Sequence, residues 1–157
     1  NCLAQMVSVY ESTGESVVAV EKISREVSRR YGVVEIEPGS GPRWRISGIV
    51  EKPEPEKAPS DLGVVGRYVL SPAVWDCIAK LDTGAGEEIQ LTDAIAQLIQ
   101  NESVEAYRIL GKSHDCGTKL GYMQANVEYA LRCSDLREPF GSFIQALQCR
   151  ERALGDV

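Results

Sequence analysis

The chain has 157 residues and a formal net charge of −6. That is length for one domain of about 100–200 residues with its own core, and the charge argues against general affinity for nucleic acid. No apolar run approaches the roughly 20 residues that span a bilayer, and the stretch at Asn1 does not read as a signal peptide, so neither a nucleic-acid polymer nor a membrane is expected as partner.

Residues 2–12 space Leu3, Met6, Val7 and Tyr10 along one helical face, and Gly14 stands in the usual stop position. A chain opening inside an amphipathic helix leads to the expectation that something upstream is missing. Val17 to Val20 is a continuous apolar run, read as a buried strand. Ser24 to Arg30 is polar and fits a short helix with Ser24 as N-cap. Tyr31 to Ile36 and Arg43 to Val50 read as strands joined by the turn Pro38-Gly39-Ser40-Gly41-Pro42, an antiparallel hairpin. A polar link at 54–60 leads to a further strand ending near Leu70. Pro72 to Leu81 is a helix with Val74, Cys77, Ile78 and Leu81 on its apolar face, and 82–86 is a loop.

Leu91, Ile95, Leu98 and Ile99 mark a helix capped by Thr92 or entered from Glu88. Val104 to Leu110 is a strand. Thr118 to Arg132 is a helix with Leu120, Met123, Val127, Ala130 and Leu131 along one side. A last helix from about Pro139 carries Phe140, Phe143, Ile144 and Leu147, which need a surface to cover. The order of elements gives an α/β protein with a mixed, mostly parallel sheet and flanking helices. Residues 1–136 form the main part, and 137–157 a terminal helix suited to contact in a homo-oligomer.

The five cysteines are odd in number and include no Cys-x-x-Cys pair. They signal neither a disulfide framework nor a zinc site and fit a reducing cytoplasm. Chemistry is sought at strand exits, where open α/β sheets place ligands. At Glu51-Lys52-Pro53, Glu51 can accept hydrogen bonds from hydroxyls and Lys52 can neutralise a phosphate. The plain alternative is a solvated strand end before a turn. Pro53 is expected to hold Lys52 extended. Neighbours in an ideal strand point to opposite faces, so both side chains meet one ligand only if the strand end twists. Asp115 stands between a strand and a helix and suits a magnesium ion, which takes few protein carboxylates and many phosphate and water oxygens; a helix cap is the alternative. His114, the lone histidine, has no triad partner. Gly32 allows close backbone approach or a bend. The Gly-x-Gly runs at 39–41 and 84–86 lack a phosphate-loop fingerprint.

Five segments occur in order: Tyr31-Gly32-Val33-Val34, Val50-Glu51-Lys52-Pro53, Val65-Gly66-Arg67-Tyr68-Val69-Leu70, Glu88-Ile89-Gln90-Leu91-Thr92-Asp93 and Asp115-Cys116-Gly117-Thr118-Lys119-Leu120-Gly121-Tyr122. The series resembles the bacterial UTP–glucose-1-phosphate uridylyltransferases (UDP-glucose pyrophosphorylases) over nearly the whole chain. It covers only the back part of that family's pattern. The Gly-rich loop with its Thr-Arg pair, the Pro-Lys segment and the first metal-binding Asp have no counterpart here.

The resemblance implies the sugar-binding part of a Rossmann-like nucleotidyltransferase fold, a fragment inactive alone, with UTP and glucose 1-phosphate as the parent's substrates and Mg2+ as cofactor. The Gly32 N–H and the Glu51 carboxylate would hold glucose, Lys52 its phosphate, and Val64 would line the sugar through its backbone. Asp115 would be one of two magnesium ligands, with Lys52 and Asp115 carrying the catalytic charge. The implied reaction is in-line attack by a sugar-phosphate oxygen on the α-phosphorus of UTP, which is mostly positioning and charge neutralisation. Asp61 and His114 depart from the pattern, which often has Asn and an aromatic residue there. Another sugar-1-phosphate nucleotidyltransferase, or a non-catalytic sugar-phosphate-binding or assembly module, are the other readings.

Overall fold

The apolar run at 17–20 lies at the centre of the protein. The structure, a computed structural model, describes residues 1–39, 41–81 and 89–155. Ser40, the loop expected at 82–86 and the helix entry expected at Glu88 fall outside them. The run belongs to β1 (Ser16–Lys22), whose first five residues are all buried. A strand without alternation needs cover on both faces. On one face α1 (Cys2–Thr13) lays Met6 against Val17, Ala19 and Tyr107. On the other, Val18 and Val20 join Val74 and Cys77 of α2 (Ala73–Ile78) and Ala94, Ile95 and Leu98 of α3 (Leu91–Ile99).

β2 (Gly32–Ile36), β3 (Arg43–Glu51), β4 (Leu62–Val69) and β5 (Val104–Arg108) complete a closed ring in the order β1-β4-β2-β3-β5. The mixed sheet and flanking helices agree with the sequence. The expected predominance of parallel pairing does not: β1–β5 is parallel, and the β1–β4, β2–β3, β2–β4 and β3–β5 pairs are antiparallel. The reason is topological. β4 inserts between β1 and β2, which run the same way, so directions alternate around the ring. Five strands closing on themselves cannot alternate at every junction, and β1–β5 is the one like-directed pair that an odd number forces.

Gly14 ends α1 at φ 73 and donates its N–H to Tyr10 O at 2.7 Å. The polar stretch after Ser24 is a 3-10 helix over Arg25–Arg30, although Ser24 makes no side-chain cap bond.

β3 contains the feature that sets up the site. Glu35 pairs with Gly48 and Ile36 with Ile46, so Ser47 is an extra residue and the pairing shifts. Such a bulge breaks the period-2 alternation. Before it, Trp44 and Ile46 face the α2–α3 core; after it, Ile49 does. Glu51, two residues on from Ile49, therefore points to the side of α3.

The chain divides into two compact units, Asn1–Gly111 and Lys112–Val157. The second holds α4 (Lys119–Arg132) and α5 (Ser134–Gly155). α5 begins five residues before Pro139 and runs across the expected division at 136/137. The Cys133 carbonyl accepts from both Leu136 and Arg137, which opens the helix early and leaves Pro139 inside it. On α4 the buried positions are Gly121 and Ala125. Leu120, Met123 and Leu131 of the expected apolar stripe are exposed, as are Phe143 and Leu147 of α5.

Candidate functional site

Four residues expected at a ligand converge in the first unit. Gly32 pairs with Glu51 across β2 and β3. Lys52 N–H donates to Tyr31 O at 3.0 Å, which in the antiparallel alternation makes Gly32–Glu51 the close, non-hydrogen-bonded kind of pair. A Cβ on Gly32 would lie 3.2 Å from Glu51 Oε2, 3.6 Å from Thr92 Oγ1 and 3.8 Å from Val64 Cγ2. The missing side chain thus makes room where a carboxylate, a hydroxyl and the β4 wall meet.

Lys52 resolves the tension noted between strand neighbours. It is not extended, as Pro53 led us to expect, but stands at φ 46, and this was the one residue other than glycine found at positive φ among those described. Ending β3 in this way turns the side chain back, and Lys52 Nζ lies 3.5 Å from Glu51 Oε1. A residue without glycine's freedom there costs roughly 1–2 kcal/mol. The ion pair is too exposed to supply that, with Lys52 at 60% and Glu51 at 29% of their side-chain surface in solvent. The backbone bond to Tyr31 O is the firmer restraint.

Two residues were missed from the sequence. Thr92 does not cap α3; Gln90 holds the N-cap position without a side-chain bond, and Thr92 Oγ1 donates to Glu51 Oε2 at 2.6 Å. Tyr68, on β4, has its hydroxyl pKa raised first by burial and then by the nearby Glu51 charge. Both lie inside segments quoted above, but only the fold brings them to Glu51. The Asp61 charge is matched by Lys22 at 3.4 Å, both exposed.

Asp115 belongs to the second unit. Its Oδ1 accepts from Gly117 N–H at 3.0 Å, and its carbonyl accepts from the Thr118 hydroxyl and N–H. Thr118, not Asp115, is the N-cap of α4, accepting from Gly121 N–H at 3.1 Å. Any Cβ at 121 would collide with the Asp115 carbonyl, so this glycine keeps the turn in shape. Among the described residues no cluster of three His, Cys, Asp or Glu side chains is placed to enclose a metal ion. A single exposed-turn carboxylate still fits magnesium, which is typically bound through one or two carboxylates plus phosphate oxygens. The His114 side chain is 5% exposed, 3.5 Å from Glu128 and edge-on to Tyr129. Glu128 also pairs with Lys112 and Arg132, and its pKa is lowered, first by the Lys112 hydrogen bond.

The closed mixed sheet with helices on both sides is an α/β domain whose β3 exit carries a carboxylate beside an ammonium. The nucleotidyl transferase family model matches residues 1–132, and the chain belongs to that family. It is 49% identical over 146 residues to the UTP–glucose-1-phosphate uridylyltransferase of Escherichia coli (strain K12), covering 91% of this chain and 48% of that protein. Among solved structures it is similar to a UTP-bound UGPase from Acinetobacter baumannii, at TM-score 0.80, 39% identity, 92% of this chain and 50% of that one. A UDP-glucose pyrophosphorylase complexed with UDP-glucose aligns at TM-score 0.79 and 36% identity over 84% of this chain and 50% of that one. The chain spans about half the length of the curated relatives it matches. In the described residues no helix is long and apolar enough to cross a membrane.

Proposed function

We propose that the protein carrying this chain transfers a uridylyl group from UTP to glucose 1-phosphate, giving UDP-glucose and pyrophosphate, and that this chain holds the sugar phosphate. The observation that carries the reading is the return of Lys52 onto Glu51 beside Gly32. It supports a site for a molecule that is half polyol and half anion. The kinship to uridylyltransferases supports the choice of substrates.

Glu51 accepts hydrogen bonds from glucose hydroxyls, the Gly32 N–H donates to another, and Val64 lines the ring. Lys52 leaves Glu51 to neutralise the sugar phosphate, so that one of its oxygens is presented to the nucleotide in line. Asp115 holds Mg2+ as one of its carboxylates. When bound, the ion neutralises phosphate charge and orients the reacting groups. The rest of the reading is a cytoplasmic homo-oligomer, with residues 1–136 as the sugar-phosphate and metal part and 137–157 as the oligomer contact. The exposed apolar side chains of α4 and α5 support an interface there.

The test is UDP-glucose formation by the full-length protein with UTP, glucose 1-phosphate and Mg2+, beside a panel of other nucleotides and sugar phosphates. Activity with this pair, lost on Glu51→Ala or Lys52→Ala, is expected. Preference for another base or sugar would overturn it. The 157 residues alone are expected to release no pyrophosphate from UTP.

A further inference from the structure

We propose that Thr92 is a positioning residue, whose hydroxyl fixes the Glu51 carboxylate in the orientation that meets the sugar. The inference rests on the sugar-phosphate reading above and adds to it a residue that acts through another. The Thr92–Glu51 bond of 2.6 Å has the length of a charge-assisted O–H···O⁻ bond, about 2.5–2.7 Å. A threonine near a helix start ordinarily turns its hydroxyl to the helix's own backbone. Here the partner lies 41 positions away in the chain, on a strand end, while the helix start itself receives no side-chain cap.

The geometry divides the carboxylate's two oxygens. Oε2 is held by Thr92 and overlooked by the bare Cα of Gly32. Oε1 faces Lys52, the more exposed partner. A glutamate has three side-chain torsions to order when it grips a ligand, and each ordered side chain weakens binding. Thr92 orders Glu51 before the ligand arrives. Its removal therefore affects recognition of the sugar and not of the phosphate, which belongs to Lys52.

The experiment titrates glucose 1-phosphate and, separately, inorganic phosphate into the full-length protein by calorimetry, with circular dichroism as the check on folding. Thr92→Val keeps the shape and removes the hydroxyl. It is expected to weaken glucose 1-phosphate about tenfold, the size of one hydrogen bond to a charged group, and to leave inorganic phosphate unchanged. Thr92→Ser is expected to restore the affinity. In a Glu51→Ala background Thr92→Val is expected to have no further effect. Equal losses with and without Glu51 would overturn the positioning role and leave the sugar-phosphate site standing. A full-length wild type that binds glucose 1-phosphate no better than inorganic phosphate would overturn the sugar-phosphate reading, and this inference with it. Should Thr92→Val not fold, Thr92→Ser and Thr92→Ala carry the comparison: retention by Ser with loss by Ala supports the role, and equal affinities overturn it.

Discussion

Glu51 and Lys52 are adjacent in the chain, yet their charged ends lie 3.5 Å apart on the same side of the strand exit. The relationship is made by the backbone of Lys52 at φ 46, not by side-chain reach. A strand that simply continued would send the two groups to opposite faces and separate the carboxylate from the ammonium.

The strain at Lys52 has a measurable consequence. Lys52→Gly relieves the unfavourable φ, whereas Lys52→Ala keeps it. Glycine's extra freedom in the unfolded chain offsets part of the gain. Lys52→Gly is expected to be more stable than Lys52→Ala by about 0.5–1 kcal/mol in urea unfolding, with both variants losing affinity for sugar phosphate. Equal stabilities would mean that the backbone bond to Tyr31 O does not hold Lys52 in this conformation.

Gly32→Ala tests the close pair from the other strand. The new methyl would sit 3.2 Å from Glu51 Oε2, so the carboxylate has to give by a few tenths of an ångström. Affinity for glucose 1-phosphate is expected to fall about tenfold, an effect of the order of one charged hydrogen bond, with a smaller effect on inorganic phosphate. An unchanged affinity would show that Glu51 can shift without cost.

Glu102 joins three segments away from that pair. Its two oxygens accept from Ser16 at 2.7 Å and Ser71 at 2.8 Å, and the Ser71 N–H donates to the Ser16 hydroxyl at 2.9 Å. Ser16 is 1% exposed, so its hydroxyl has no water to fall back on. Glu102→Ala is expected to destabilise the fold by about 1–3 kcal/mol in urea or thermal unfolding, and Glu102→Gln by less, because an amide still offers one acceptor.

Glu128 gives a pH signature to the second unit. Its pKa lies below the ordinary 4.5, first through the Lys112 hydrogen bond. A carboxylate with a depressed folded pKa stabilises above its unfolded value and loses that contribution as pH falls through the folded one. The urea midpoint of the wild type is therefore expected to exceed that of Glu128→Gln at neutral pH. The difference should shrink once pH drops below 4.5, and at neutral pH it should weaken in high salt. A difference that persists unchanged at low pH would assign the effect to packing.

The sequence was most informative where a signal is local. The unbroken apolar run of β1, the Pro-Gly turn of the hairpin, and Gly14 after α1 each name their structure through one residue's conformational needs or one strand's burial. Glu51, Gly32 and Lys52, which the fold brings together, could be proposed as site residues from the sequence because the chemistry of a carboxylate, a bare backbone and an ammonium belongs to the residue types. Thr92 and Tyr68 were not, because what they do depends on contacts distant in sequence. The positive φ of Lys52 was hidden by Pro53, whose preference for an extended predecessor was overridden by the hydrogen bond to Tyr31. Strand direction was hidden too, since the insertion of β4 between β1 and β2 leaves no local trace.

The extra residue at Ser47 gives β3 something like a reading frame. Every side chain from Ile49 to Glu51 is assigned to its face by the count from that bulge. Were Ser47 drawn into the regular ladder opposite Glu35, the Glu51-Lys52-Pro53 motif would stay intact as letters while Val50 stood opposite Gly32 in place of Glu51. For anyone grafting this motif onto another scaffold, the unit to transplant begins at the bulge.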